Sequence, residues 1–437
     1  MKHALFIFYF AMLSSFVSAQ NYTSYVTGNT TDTVVAPQGG ICLMGGAMED
    51  DNAMKWFLQR ANGGDVLVLR ASGSDGYNNY LYSGLGISVN SVETIVFHNA
   101  MASQESYILQ RIHQAEAIWF AGGNQWTYVD YWRDSPIDSA INVAVQHRRA
   151  VIGGTSAGMA ILGQYYFSAE NGTVTSAAAL DNPYDHRVTV DSTAFLDVDF
   201  MQQTIADTHF DNPDRKGRLV GFMARIFTDY GADPKGIACD EYTAVCIDTN
   251  GIASVYGGHP AFDDNAYFVQ VNCEHSVQTP EVIAPNTPLT WDLNGEALKV
   301  YRIKGDSTGT KTFNLNNWED GNGGEWFNWS VNNGVFSEQS DSAINCSGMR
   351  VKREDAFTAL DVYPNPTTGR VTLKVNGYDL LQGDVTVYNP LGQQINIPVQ
   401  PIRGGVELAF DGVSNGIYII YLRGVDERVY RGRVVKY

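Results

Sequence analysis

Four times between Gly40 and Gly158 a short apolar run ends on small residues, and that repetition constrains the fold more than any other feature of the chain. The units are Gly40-Ile-Cys-Leu-Met-Gly-Gly-Ala47, Asp65-Val-Leu-Val-Leu-Arg-Ala71, Glu116-Ala-Ile-Trp-Phe-Ala121 running into Gly122-Gly-Asn-Gln125, and Ala150-Val-Ile-Gly-Gly-Thr-Ser-Ala-Gly-Met159. Apolar runs this short, bounded by glycine, read as strands buried on both faces. The stretches from Asp50 to Ala61, Ser103 to Ala115 and Ser139 to His147 read as helices between them. Alternating strands and helices predict an α/β fold, a doubly wound and mostly parallel sheet. In such sheets sites gather at the carboxyl ends of the strands, so these turns should face one crevice.

The fourth unit carries a nucleophile elbow. Gly154-Thr-Ser-Ala-Gly158 is a strand-to-helix turn in which Gly154, Ala157 and Gly158 leave room for a strained, exposed Ser156. Backbone N–H groups freed at the following helix start can stabilise an oxyanion. A plain glycine-rich turn with Ser156 as a helix cap fits the same five residues.

A serine nucleophile needs a base. Ile205-Ala-Asp-Thr-His-Phe210 is strand-like and ends at Asp207 and His209, a setting that His98, His113, His147 and His186 lack. Neutral imidazole is available near physiological pH without extreme tuning. For the orienting carboxylate, Glu170 follows the elbow helix, and Asp207, Asp181 and Glu241 compete with it.

The ordered series Gly45-Gly46, Gly122-Gly-Asn-Gln125, Gly154-Thr-Ser-Ala-Gly158, Asp207-Thr-His-Phe210, Arg215-Lys-Gly-Arg218 and Gly236-Ile-Ala-Cys-Asp-Glu241 resembles the cyanophycinase branch of the cyanophycinase and dipeptidase E serine peptidases. The resemblance covers about Pro37 to Gly258 and implies a fold like that of class I glutamine amidotransferases, with serine in place of cysteine. It implies Ser156 as nucleophile, His209 as base and Glu170 as acid. The oxyanion hole would come from N–H groups of Gly123 or Asn124 and of Ala157. Gln125, Asp207, Arg215 and Arg218 would bind substrate, cyanophycin or a related aspartate-rich, β-aspartyl peptide. Guanidinium forks suit carboxylates, although Arg215 and Arg218 could equally pair with Asp207, Asp211 or Asp214. Pro213 stands where the family often has a further basic residue. No metal or cofactor is expected. Rival readings are an esterase of the α/β-hydrolase type and an inactive relative that binds peptides or glycans.

The ends of the chain differ from this core. Met1-Lys-His, the apolar run Ala4 to Val17 and Val17-Ser-Ala-Gln20 give the pattern of a signal peptide over residues 1–19. At the other end, Ala359-Leu-Asp-Val-Tyr-Pro-Asn-Pro366, Thr368 to Val375, Asn415 to Leu422 and Arg428 to Lys436 predict a small β-sandwich over 358–437. That module resembles the C-terminal sorting domain of type IX secretion, which implies the secretion machinery as a partner and an outer-membrane export route; a carbohydrate-binding or adhesive module is the alternative. The peptidase domain is then expected over 20–345, with a linker at 346–357. Within it, Ala266 to Asn272, Leu298 to Ile303 and Thr310 to Leu315 read as strands of a β extension. Trp318, Trp326 and Trp329 fall in an apparent Gly/Asn-rich loop from Asn316 to Gly334, either a polymer-docking surface or packing anchors.

Charge and cysteine content narrow the partners. With 29 Lys and Arg against 47 Asp and Glu, the net charge of −18 repels phosphate backbones and argues against nucleic acid as a partner. Cys42, Cys239 and Cys246 fall in core strands as buried thiols, whereas Cys273 and Cys346 could bridge in an oxidising compartment. Homodimerisation is left open.

Overall fold

A computed structural model describes residues 20–192, 195–346, 358–365, 367–374, 384–389, 394–402, 405–423 and 429–436. The expected signal peptide and the linker residues 347–357 lie outside the described residues. The chain divides into two compact units, Met1–Met349 and Arg350–Tyr437.

The first unit is built on a ten-stranded sheet. Its centre is parallel, in the spatial order Ser91–Phe97, Asp65–Arg70, Ala117–Phe120, Val151–Thr155 and Ile41–Met44. Four of these strands are the predicted ones; the fifth, Ser91–Phe97, is buried throughout but carries Ser91, Glu93 and Thr94, which hide its apolar pattern. Antiparallel strands flank this centre, Tyr22–Gly28 on one side and Ala244–Ile247 on the other. Successive side chains point to opposite faces, so Ile41 and Leu43 enter one core while Cys42 and Met44 enter another. Helices Asp51–Arg60, Ser106–Gln114 and Pro136–Gln146 fall where helices were expected.

A second sheet joins the first, and two of the strands expected as a β extension, Asn265–Val271 and Leu298–Lys304, lie in it. Six strands run in the order Val335–Asp341, Glu325–Asn332, Leu298–Lys304, Asn265–Val271, Lys235–Cys239 and Thr204–Asp207. Only the last two pair in parallel. One face, with Ala206, Ile237, Phe268 and Ile303, shares the core of Leu43 and Ile152. The other face packs Ile205, Ala238 and Val269 against helix Lys216–Tyr230.

The predicted tryptophan loop is largely strand. Trp329 is fully buried in Glu325–Asn332 and donates its ring N–H to Glu338 at 2.7 Å. Trp318 and Trp326 pack edge-on against Phe313, so these rings are packing anchors. Cys273 and Cys346 form a disulfide with Cα atoms 5.6 Å apart.

The second unit is all β. A five-stranded sheet containing Val429–Lys436, Gly416–Arg423 and Asp384–Tyr388 accompanies a four-stranded one containing Arg370–Lys374 and Gly405–Ala409. Leu373, Leu408, Ile420, Leu422 and Val434 form their common core.

Candidate active site

The buried strand Val151–Thr155 turns at Ser156 into the short helix Ala157–Ala160. Ser156 has φ 52° and ψ −118°, a region that costs an L-residue about 1–3 kcal/mol and persists only where its surroundings enforce it. Two contacts enforce it here. Ser156 N–H donates to Met44 O at 3.0 Å, and Ala160 N–H donates to Ser156 O at 3.0 Å. A Cβ on Gly154 would lie 2.5 Å from the Gly158 carbonyl carbon, and one on Gly158 would lie 2.2 Å from Phe120 O. Only glycine fits this sharp turn at both positions.

His209 arrives from the second sheet, two residues past the end of Thr204–Asp207. Its backbone is left-handed, with φ 47°, and its N–H donates to Gly45 O at 2.8 Å. The ring is held at both nitrogens: Nε2 lies 2.8 Å from Ser156 Oγ and Nδ1 lies 2.6 Å from Glu241 Oε1. A carboxylate can only accept, so Nδ1 carries the proton and Nε2 is the acceptor for the serine hydroxyl. The hydrogen bond from His209, then that from Asn212, holds the Glu241 carboxyl below its usual range. Asn212 Nδ2 reaches the other carboxylate oxygen at 3.2 Å, and Glu241 N–H donates to Asp211 Oδ1 at 2.9 Å.

Glu241 therefore takes the place that the sequence reading gave to Glu170. Glu170 is exposed in the turn after the short strand Tyr166–Phe167. Glu241 follows Lys235–Cys239, the parallel neighbour of the strand that delivers His209, and neighbouring strand ends bring their loops together.

Gly46 completes the histidine's seat. A Cβ there would lie 2.5 Å from His209 Cε1 and Nε2, and φ +117° independently demands glycine. Gly45-Gly46 marks this position in the sequence without revealing that it lies against the ring.

The other expected site residues divide. A Cβ on Gly122 would lie 3.5 Å from that of Ser156, so the Gly122-Gly123 turn lies against the nucleophile. Tyr128 OH donates to Ala121 O at 2.9 Å and Gly122 O at 3.0 Å. In a trans peptide that turns the Gly123 N–H away from Tyr128. Asn124 caps helix Gln125–Trp132 through Oδ1, which accepts from Trp126 N–H at 3.0 Å. Ala157 opens its helix, where N–H groups lack intrahelical acceptors.

All four expected substrate contacts already have partners within the chain. Gln125 Nε2 donates to Phe167 O. Asp207 and Arg218 form a bidentate ion pair, with Arg218 Nε 2.9 Å from Asp207 Oδ2, and both are under 5% exposed. Arg218 also reaches Thr173 Oγ1 at 3.3 Å. Arg215 retains solvent access and binds Thr208 O at 2.8 Å. Burial, and then Arg218, lower its guanidinium to about 10.

Comparison with known proteins bears on this site. Residues 46–255 match the model of peptidase family S51, and residues 361–436 match the secretion system C-terminal sorting domain. A cyanophycinase from Synechococcus elongatus is 24% identical over 236 residues, covering 52% of this chain and 68% of its own. One from Trichormus variabilis is 24% identical over 205 residues, covering 47% and 61%. A solved structure of a peptidase from an acI-B1 Actinobacterium is 14% identical with a TM-score of 0.38, covering 51% of this chain and 89% of that one.

The family-model matches give a serine-type peptidase segment that resembles peptidase family S51, followed by a segment that matches a secretion sorting domain. Within that class the protein is cyanophycinase-like.

Proposed function

We propose that the protein hydrolyses cyanophycin or a related aspartate-rich, β-aspartyl peptide through an acyl-enzyme on Ser156, with His209 as base and Glu241 as orienting acid. One observation carries this reading: the unbroken hydrogen-bonded path from Ser156 Oγ through His209 to Glu241, 2.8 and 2.6 Å long, that starts on a strained elbow. An inactive binding relative would have no need to hold that path or that strain.

The chemistry follows from the geometry. Ser156 Oγ attacks the scissile carbonyl as its proton passes to His209 Nε2, and the imidazolium that forms faces the Glu241 carboxylate. His209 then protonates the leaving amine. Water attacks the ester, gives its proton to Nε2, and Ser156 leaves with that proton returned. Ala157 N–H, with that of Gly123 or Asn124, is assigned to the tetrahedral oxyanion; losing one such donor costs about 10²–10³ in rate.

Arg215 supports the substrate class, as the less buried of the two matched arginines. It suits a carboxylate of an aspartyl peptide. Arg218 acts instead as the buried partner of Asp207. The arrangement of parallel strands and elbow is read as class I glutamine amidotransferase-like. We assign residues 1–19 to a signal peptide, 20–345 to the peptidase with its β extension, 346–357 to a linker and 358–437 to the sorting module.

Clearing of a cyanophycin suspension, run beside a panel of α- and β-aspartyl dipeptides, tests the proposal. Soluble dipeptides should appear with the wild type and not with Ser156→Ala. Equal clearing by both would reject the nucleophile, and cleavage confined to α-peptides would reject the substrate class.

A further inference from the structure

Cys42 and Cys246 lie on neighbouring antiparallel strands, Ile41–Met44 and Ala244–Ile247, and face each other directly in the register. Three residues along, Gly45 stands opposite Thr243 and donates its N–H to Thr243 O at 2.9 Å. Hydrogen-bonded and non-hydrogen-bonded pairs alternate in an antiparallel ladder, so Cys42 and Cys246 occupy a non-hydrogen-bonded pair. Such pairs bring Cα atoms to about 4.5 Å and side chains closest together. That spacing falls within the about 4.4–6.8 Å that a disulfide spans. The two sulfurs are 3.7 Å apart, and both residues are at most 1% exposed. The third free cysteine, Cys239, packs into the opposite core with Leu43 and is no competitor for this pairing.

We propose that Cys42 and Cys246 are joined by a disulfide in the secreted protein, a buried second bridge beside Cys273–Cys346. The sorting domain routes the chain out of the reducing cytosol, and the existing bridge requires an oxidising compartment. The oxidant is a disulfide donor, protein or small molecule. The Cys42 thiolate attacks a donor sulfur and one donor thiolate leaves; the Cys246 thiolate then attacks the Cys42 sulfur of the mixed disulfide and releases the second. The pair loses two protons and two electrons, and the donor is reduced to its dithiol.

Burial fixes when this happens. In the folded chain burial and the neighbouring Cys42 push the Cys246 thiol far up, which starves it of thiolate, and the donor has no access. The bridge therefore closes while the strands are still pairing, and once closed it is shielded from reductants. Its position matters for the site. It ties the strand that leads into Gly45-Gly46, against which His209 rests, to the strand that follows the Glu241 turn.

Alkylation of the denatured, unreduced protein with iodoacetamide, followed by peptide mass mapping, tests this directly. The sample is the protein as its host secretes it, with a parallel sample refolded in a glutathione couple. The expected label falls on Cys239 alone, with Cys42 and Cys246 recovered as one linked peptide pair. Label on both Cys42 and Cys246 in the secreted protein overturns the proposal. Cys42→Ser should release Cys246 for labelling, and a Cys246 that stays blocked in that variant would also overturn it. Labelling is done on denatured chains, so the readout survives any loss of folding in the variant.

Discussion

Replacing Glu241 by Gln keeps the side chain's size and removes its charge, which isolates what the carboxylate does for His209. At 2.6 Å from Nδ1 it holds that nitrogen protonated and leaves Nε2 free to accept from Ser156. A Gln amide can donate to Nδ1, which moves the ring proton to Nε2, the nitrogen that must be empty for the first step. It also removes the charge facing the imidazolium; at 2.6 Å and an effective dielectric constant of about 20, that pair is worth roughly 6 kcal/mol before solvent screening. The equivalent acid-to-amide change in a Ser-His-Asp triad lowers kcat by about 10⁴, or roughly 5.5 kcal/mol at the transition state. Glu241→Gln should therefore lose about 10³–10⁴ in kcat with KM changed by less than about threefold. Glu170→Gln should leave kcat within about twofold of the wild type. The assay is initial-rate release of dipeptide from the cleaved substrate, with melting temperatures confirming that both variants fold. A Glu241→Gln enzyme within tenfold of wild type, or a Glu170→Gln enzyme down by 10³, would refute the reasoning.

Other perturbations follow from the same contacts. Gly46→Ala drives a methyl group to 2.5 Å from His209 Nε2, so kcat should fall by about 10²-fold while the chain still folds; unchanged turnover would mean that the ring has another seat. Arg218→Met strands the buried Asp207 charge and should cost about 3–5 kcal/mol in denaturant unfolding, most of it recovered in the Asp207→Asn, Arg218→Met double variant; a single-variant loss under about 1 kcal/mol would contradict the buried pairing. Asp240 is 2% exposed, and burial raises its carboxyl to about 7. A raised acid favours the fold at low pH and loses that advantage as pH climbs through the raised value. Asp240→Asn should thus raise the melting temperature more at about pH 8 than at about pH 5, and the reverse order would contradict the assignment.

The parallel core was legible because each of its strands 41–44, 65–70, 117–120 and 151–155 is continuous, apolar and ended by small residues. Ser91–Phe97 escaped the same test because its polar side chains find buried partners: Ser91 Oγ binds Asp65, and Glu93 binds Arg111. Ser156 and His209 were readable from local motifs. Glu241 was only one carboxylate among several, because its choice depends on which strand lies beside Thr204–Asp207, and no local pattern encodes that pairing. Arg218 misled for a related reason. An arginine beside a substrate and one sealed against Asp207 look alike until the burial of helix Lys216–Tyr230 is known. Trp326 and Trp329 were misplaced because Gly321 to Gly324 dominate the composition of a segment whose strand, Glu325–Asn332, begins just beyond, whereas Trp318 does lie outside the strands.

The proposed hydrolysis depends on the reactivity of a single hydroxyl, that of Ser156. A fluorophosphonate that targets activated serines, incubated with the secreted protein and mapped by peptide mass spectrometry, should form its adduct on Ser156. Labelling should fall by at least about 10²-fold in Glu241→Gln. Turnover of peptide substrate by a protein whose Ser156 stays unmodified under saturating reagent would contradict it.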